Sequence, residues 1–278
     1  MSSKRYWLNR IAKILIYLVL ILTSIGMIVP MLLMVFYSLK EYPEGKTFIQ
    51  LLTSDFTIKN YVDAFKSDRF DIYFFNSILV ASIVTASNLL FCLMVGFALA
   101  RWKSLASKII FSSVIAVLFI PSHVIMIPLY RLMVELGWIN SYLALTVPWM
   151  VTPFGIFLVR QYILNLPTDI EDAARTDGAS EWQVLFTIVA PLAKPILFVL
   201  GIYTFLSNWN SFLFPFLFTN EEAFRTLPVG LAFYLGKQSI DWGHLFAGAA
   251  ISGLPIIILF IIFQKQIIRG LTSGALKE

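Results

Sequence analysis

The sequence predicts an all-α membrane protein with six transmembrane helices and both termini cytoplasmic. Three observations carry that prediction. Of 278 residues, 59% are hydrophobic and only 13% charged, about half the charged share of ~25% usual in a soluble domain. Apolar runs recur that are long enough to cross a hydrocarbon layer, which takes roughly 20 helical residues. Lys and Arg flank those runs unequally on the two sides. The same composition excludes an ordinary soluble enzyme, a disordered chain and a disulfide-built protein, since the single cysteine, Cys92, lies in an apolar run with no internal partner. The net charge of +5 does not signal nucleic acid, because the basic residues flank apolar segments instead of forming a patch.

The first span is predicted at about 14–36. It is too long for a signal-peptide core, contains Gly26 and Pro30, and shows no small-x-small cleavage site before Lys40, so it reads as a retained helix. The loop at about 37–77 mixes Lys59, Asp63, Asp68 and Arg69 with Phe56, Tyr61 and Phe65, the pattern of a short amphipathic helix on the surface. Spans follow at about 78–100, 109–130 and 141–160, then a polar loop to about 191. A fifth span at about 192–218 is interrupted by Pro191 at its entry, Pro195, Gly201 and Pro215. A loop at about 219–244 leads to the sixth span at about 245–264. None of the spans contains Asp or Glu.

Orientation follows from the cations. With the N-terminus inside, that side collects Lys4, Arg5, Arg10 and Lys13, then Arg101, Lys103 and Lys108, then Arg160, Arg175 and Lys194, and Lys265, Arg269 and Lys277 in the tail. The opposite side carries Lys40, Lys59, Arg131 and others mixed with carboxylates.

Familiar chemistry is missing. Gly45-Lys46-Thr47 has Lys40 where a Walker A loop needs its first glycine, and Gly236-Lys237 has Leu231 there and Gln238 after the lysine. No His-Glu-x-x-His helix occurs, and His123 and His244 lie in separate segments, so no metal site is expected. The spans hold no ionisable residue except His123, with Lys194 at an inner end, whereas proton-coupled carriers place such residues inside the bundle. No catalytic residue is expected on this chain.

The loop between spans four and five is the most informative stretch. Thr168 with Glu171 reads as one capping box and Ser180 with Gln183 as a second. Gly178 lies between them, where a helix end needs a left-handed residue. A short helix, a glycine turn and a second helix result, with Ala173 and Ala174 giving the first helix a shallow face. On the residues alone, a hairpin that merely joins two spans and a helix that docks a partner are equally compatible with this pattern.

The loop resembles the EAA signature of the membrane subunits of binding-protein-dependent ABC importers: Glu-Ala-Ala, three residues, Gly, nine residues, Ile-x-Leu-Pro. Here that reads Asp172-Ala173-Ala174, Gly178, then Ile188-Val189-Ala190-Pro191, with Asp172 in place of Glu and Ala190 in place of Leu. The likeness continues in Asn76-Ser77, Ala98-Leu99-Ala100-Arg101, Ile127-Pro128-Leu129-Tyr130, Phe157-Leu158-Val159-Arg160-Gln161, Trp209-Asn210-Ser211-Phe212, Leu227-Pro228 and the tail from Arg269 to Lys277. It runs over roughly 75–277 and is closest to the second, maltose-type permease subunit.

The resemblance implies a type I ABC importer transmembrane fold. Residues 1–74 would form the N-terminal tail, first helix and outer loop; 75–268 the transmembrane domain, with a coupling loop at 165–191; and 269–278 a cytoplasmic tail. It implies a bacterial cytoplasmic-membrane location and a heterodimer with a paralogous permease. It also implies two ATPase subunits that hold the ATP and Mg, an extracytoplasmic binding protein, and no cofactor on this chain. Asp172, Ala173, Ala174, Arg175, Gly178, Ile188 and Pro191 would couple to an ATPase. Asn208, Asn210, Trp209 and His123 are candidates for the substrate pathway, although interhelical bonding and packing serve equally well for them. The implied cargo is a sugar or oligosaccharide; glycerol 3-phosphate or a polyol in the same architecture, an ion-coupled carrier and a membrane-embedded hydrolase are the alternatives.

Overall fold

The computed structural model describes the backbone of residues 2–41, 43, 46–66, 68–235 and 240–273, and side chains from 10 to 264 within those ranges. Among the described residues the chain is helical, with one isolated β-bridge between Lys40 and Phe56. In chain order come α1 (Ser2–Ser38), α2 (Phe48–Thr53), α3 (Lys59–Lys66) and α4 (Phe70–Arg101). Next are α5 (Leu105–Leu118) and α6 (Met126–Glu135), bent by 96° across a 3-10 turn at Ser122–Ile125. Then α7 (Tyr142–Thr146) leads through Val147–Trp149 to α8 (Pro153–Ile163). The polar loop supplies α9 (Asp169–Thr176) and α10 (Glu181–Gln183). A π-helical turn at Val184–Val189 passes into α11 (Ala190–Leu192) and α12 (Lys194–Trp209). Finally come α13 (Leu213–Phe218), α14 (Leu227–Leu235) and α15 (Trp242–Ser273).

Among the described residues, four segments are long and apolar enough to cross a membrane as they stand, and up to six when each bent pair counts as one span. The prolines explain the bends. Pro121 precedes the turn between α5 and α6, and Pro191 and Pro195 flank the 79° joint between Glu181–Leu192 and Lys194–Trp209. Each removes an N–H from the helical ladder and crowds the preceding turn. The fifth span therefore departs from a single run over 192–218. A helical arm that begins in the polar loop at Glu181 leads into it across the bend, and the span stops at Trp209 before α13 begins at Leu213. The sixth helix outruns its expected end, continuing through part of the expected tail to Ser273. Positions 274–278 of that tail, with Gly45 and Gly236-Lys237-Gln238, lie outside the described residues.

The chain divides into two compact units, the first comprising Met1–Phe70 and Leu231–Leu254. Its α3 is the expected amphipathic helix and buries Asn60 and Ala64. Asn60 Nδ2 donates to the carbonyls of Ser38 (2.9 Å) and Lys40 (2.8 Å), and Tyr61 meets the Ser38 hydroxyl at 2.7 Å. Gly243 sits so close that a Cβ there would lie 2.6 Å from Asn60 Nδ2. Lys40 is wholly buried, its ammonium 3.7 Å from the Phe56 ring centroid and donating to the Ser54 carbonyl. His244 Nδ1 lies 2.8 Å from Asp68 Oδ2.

The second unit, Asp71–Gly230 and Pro255–Glu278, shows two apolar clusters among the described residues. One gathers Cys92, Phe97, Val159, Ile163, Leu185 and Leu200; the other Val80, Val84, Leu145, Phe214 and Phe218. Small residues bring α4 and α8 together, as expected where lipid gives helices no hydrophobic reason to associate. A Cβ on Gly96 would stand 2.9 Å from Val159 Cγ1, and one on Gly155 2.6 Å from Cys92 Sγ. Buried Asn88 bridges the same contact, donating to Trp149 O and Thr152 Oγ1, both at 3.2 Å. At the far end of α4, Asn76 Nδ2 donates to Ala223 O and Arg225 O (2.8 and 2.9 Å). Asn76 Oδ1 accepts from Tyr142 (2.7 Å), and Ser77 Oγ receives the Leu227 N–H (2.7 Å). These bonds clamp residues 223–227.

Candidate functional site

The polar loop is built outward from Gly178. Its φ of +89° ends α9, with Ala179 N–H bonding Ala174 O (2.9 Å) and Gly178 N–H bonding Arg175 O (3.0 Å), the paired bonds of a Schellman motif. The next helix begins on the expected second capping box. Ser180 Oγ accepts from Gln183 N, and the Gln183 side chain accepts from Ser180 N at 2.7 Å.

The first capping box does not form. Thr168 has helical dihedrals and makes no side-chain cap. Glu171 turns away from it, wholly buried, toward Arg101 at the end of α4. Arg101 Nε reaches both carboxylate oxygens at 3.1 and 2.9 Å and Nη2 reaches Oε1 at 2.6 Å, with a further bond to Leu166 O at 3.4 Å. A charge-assisted fork outweighs one reciprocal backbone bond, and the sequence gives no local sign of it because the partners lie 70 positions apart.

Arg175 is the second hub. It donates to Glu181 Oε1 and Asp172 Oδ1, both at 2.8 Å, and approaches Glu171 Oε2 at 3.5 Å. The hydrogen bond to Arg175 holds the Glu181 carboxyl below the usual carboxylate range, and the bond to Glu181 raises Arg175 in turn. Arg175 thus spans α9 and α10, while Asp172 stays largely in solvent. The alanine pair splits: Ala174 packs on the core and Ala173 is exposed. The open face of α9 is Asp169, Ile170, Ala173 and Thr176. Acids in its first turn and Arg175 in its last suit the helix dipole. Ile188 is half-buried in the π-helical turn, and Pro191 is exposed just after it.

The pathway candidates lie on two stretches of the chain, the end of α12 and the turn at Ser122–Ile125. Asn208 and Asn210 bond back to Thr204 O (2.8 Å) and Leu206 O (2.9 Å) on their own helix. Trp209 is buried, edge-on to Phe74 with centroids 5.7 Å apart. His123 is exposed in the turn between α5 and α6. A further apolar groove of roughly 590 Å³ is lined by Phe97, Trp102, Ile110, Trp182 and Leu185 beside the loop.

The family model of the binding-protein-dependent transport system inner membrane component matches residues 92–273. The arabinooligosaccharides transport system permease protein of Halalkalibacterium halodurans is 37% identical over 225 residues, 81% of each chain. The trehalose/maltose transport system permease protein of Thermococcus litoralis is 34% identical over 272 residues, covering 95% of this chain and 97% of that one. In fold, the chain is similar to a crystallised bacterial ABC transporter involved in import of the acidic polysaccharide alginate. The TM-score is 0.83 at 22% identity over 92% of this chain and 96% of that one.

Proposed function

Since this chain belongs to the inner membrane components of binding-protein-dependent transport systems, we propose that it is one of two paralogous permeases of an ATP-driven importer of a sugar or oligosaccharide. An extracytoplasmic binding protein delivers the cargo. Two ATPases on the cytoplasmic side hold and hydrolyse ATP with Mg, and this chain binds no cofactor and performs no hydrolysis. The sugar assignment draws on the relatives' arabinooligosaccharide and trehalose/maltose systems and on spans without an excess of Arg or Lys to receive a phosphorylated cargo.

One observation carries the reading. The α9–Gly178–α10 hairpin is a capped, ion-paired block that leaves Asp169, Ile170, Ala173 and Thr176 open. Such a helix serves as a lever. Seated in an ATPase cleft, it follows the ATPases as ATP draws them together, and the spans rock between inward- and outward-open states.

The test is purification of the tagged chain from native membranes in mild detergent, with co-purifying stoichiometry read by mass spectrometry. One related permease and two ATPase copies are expected, with ATP turnover stimulated by sugar-loaded binding protein. Stimulation by glycerol 3-phosphate or a polyol alone would replace the sugar. A lone chain that transports on an ion gradient would overturn the reading.

A further inference from the structure

We propose that the Arg101–Glu171 ion pair is the joint through which displacement of α9 reaches the second span, making both residues positioning residues for coupling. The inference rests on the transport reading above and deepens it. By covalent connection α9 is tied only to its neighbours in sequence, α8 and the arm beginning at α10. Arg101 belongs to neither. It is the last residue of α4, so the pair is a mechanical connection that the chain path does not supply.

Its geometry suits that task. The guanidinium engages both carboxylate oxygens, between 2.6 and 3.1 Å, and this fork fixes angle as well as distance. Glu171 is 0% exposed and Arg101 11%, whereas the Arg131–Glu135 pair, 82% and 62% exposed, is free to part in solvent. The arginine sits at the negative end of the α4 dipole and the glutamate in the first turn of α9, at its positive end, so both dipoles hold the charges in place. The joint is anchored on each side. Arg175 Nη2 backs Glu171 at 3.5 Å, while Arg160 of α8 donates to Leu99 O at 3.1 Å in the final turn of α4. The adjacent acids divide the work: Glu171 faces inward and is inaccessible to any docking partner, while Asp172, 65% exposed, faces out.

The experiment uses the whole complex, co-expressed with its permease partner and ATPases and reconstituted with binding protein. Solute moved per ATP hydrolysed is measured for the wild type, Glu171→Gln, Arg101→Gln and the exchange Arg101→Glu/Glu171→Arg. Rates are normalised to assembled complex. In the single variants ATP turnover should persist while solute per ATP falls about tenfold, within the range of roughly 5–150-fold typical of coupling between sites, and the exchange should recover most of it. Single variants with the wild-type ratio, or a ratio that drops as far in the exchange as in the singles, would overturn the joint. If neither single variant assembles, an exchange that assembles and couples supports it, and one that also fails to assemble reduces the pair to loop scaffolding. A wild-type chain that captures no ATPase would instead bring down the transport reading itself.

Discussion

At Gly178 the backbone adopts φ +89° although nothing lies within 4 Å of where a Cβ would be. The requirement there is conformational, not steric. Gly178→Ala should lower the thermal midpoint of the purified protein by an amount equivalent to about 1–2 kcal/mol, with Gly178→Asn in between. Gly178→Glu should insert normally yet fail to support ATP-driven uptake, and normal uptake by that variant would sink the coupling role. The Glu181 carboxyl carries a pH dependence of definite sign. Its folded pKa is depressed by Arg175, so its contribution is complete above the ordinary glutamate value of about 4.3 and disappears as pH falls through the lower folded value. The midpoint difference between wild type and Glu181→Gln should be flat above about pH 5 and close as the medium is acidified below about pH 4. A difference that grew on acidification would contradict the ion pair.

Among elements, the contact of α4 with α8 is a close approach that two glycines, Gly96 and Gly155, permit. A methyl on Gly155 would meet Cys92 Sγ at 2.6 Å and Asn88 Oδ1 at 2.9 Å, so Gly155→Ala should cost about 1–3 kcal/mol through overpacking. The same change at Gly26, where a Cβ meets nothing within 4 Å, should leave the midpoint unchanged or raise it. Thermal denaturation in detergent of the two variants decides the matter, and equal losses would mean the helices do not approach as closely as described. The polar loop teaches a related lesson. Gly178 and the box of Ser180 with Gln183 were legible because turn chemistry is local: the residues that set the dihedrals are the ones that fill them. The box of Thr168 with Glu171 was misread because a buried guanidinium from another helix competed for the same carboxylate. The partners of Arg160 and Asn88 are illegible in the sequence for the same reason. Each side chain reaches an orphan or distant backbone carbonyl, Leu99 O and Trp149 O, that no spacing rule connects to it.

For the whole molecule, the apolar surface of the first helix requires a cover. Residues 10–32 of α1 are all exposed within the chain, Ile14, Leu18, Ile21, Leu22 and Met27 among them. Lipid or partner helices must take up that surface. Expression of the chain alone should therefore give material that aggregates in mild detergent, while co-expression with its permease partner should give a monodisperse complex, as read by size-exclusion chromatography. Equal behaviour of the two preparations would mean that this face needs lipid only.

The sequence by itself determined that this is a helical membrane protein built on repeated apolar runs, where its glycine turn and second capping box lie, and, through the spacing from Asp172 to Pro191, which family it resembles. Those properties reside in runs and short-range patterns, and helix formation across a bilayer is a local event because every backbone bond closes within the segment. Tertiary structure alone decided that the chain bends by 96° between α5 and α6 and by 79° between Glu181–Leu192 and Lys194–Trp209 and that Glu171 faces Arg101 instead of Thr168. It also decided that Ala173 is open while Ala174 is packed away. Each of these depends on which distant group competes for a bond or a volume, and that competition is settled only when the helices meet.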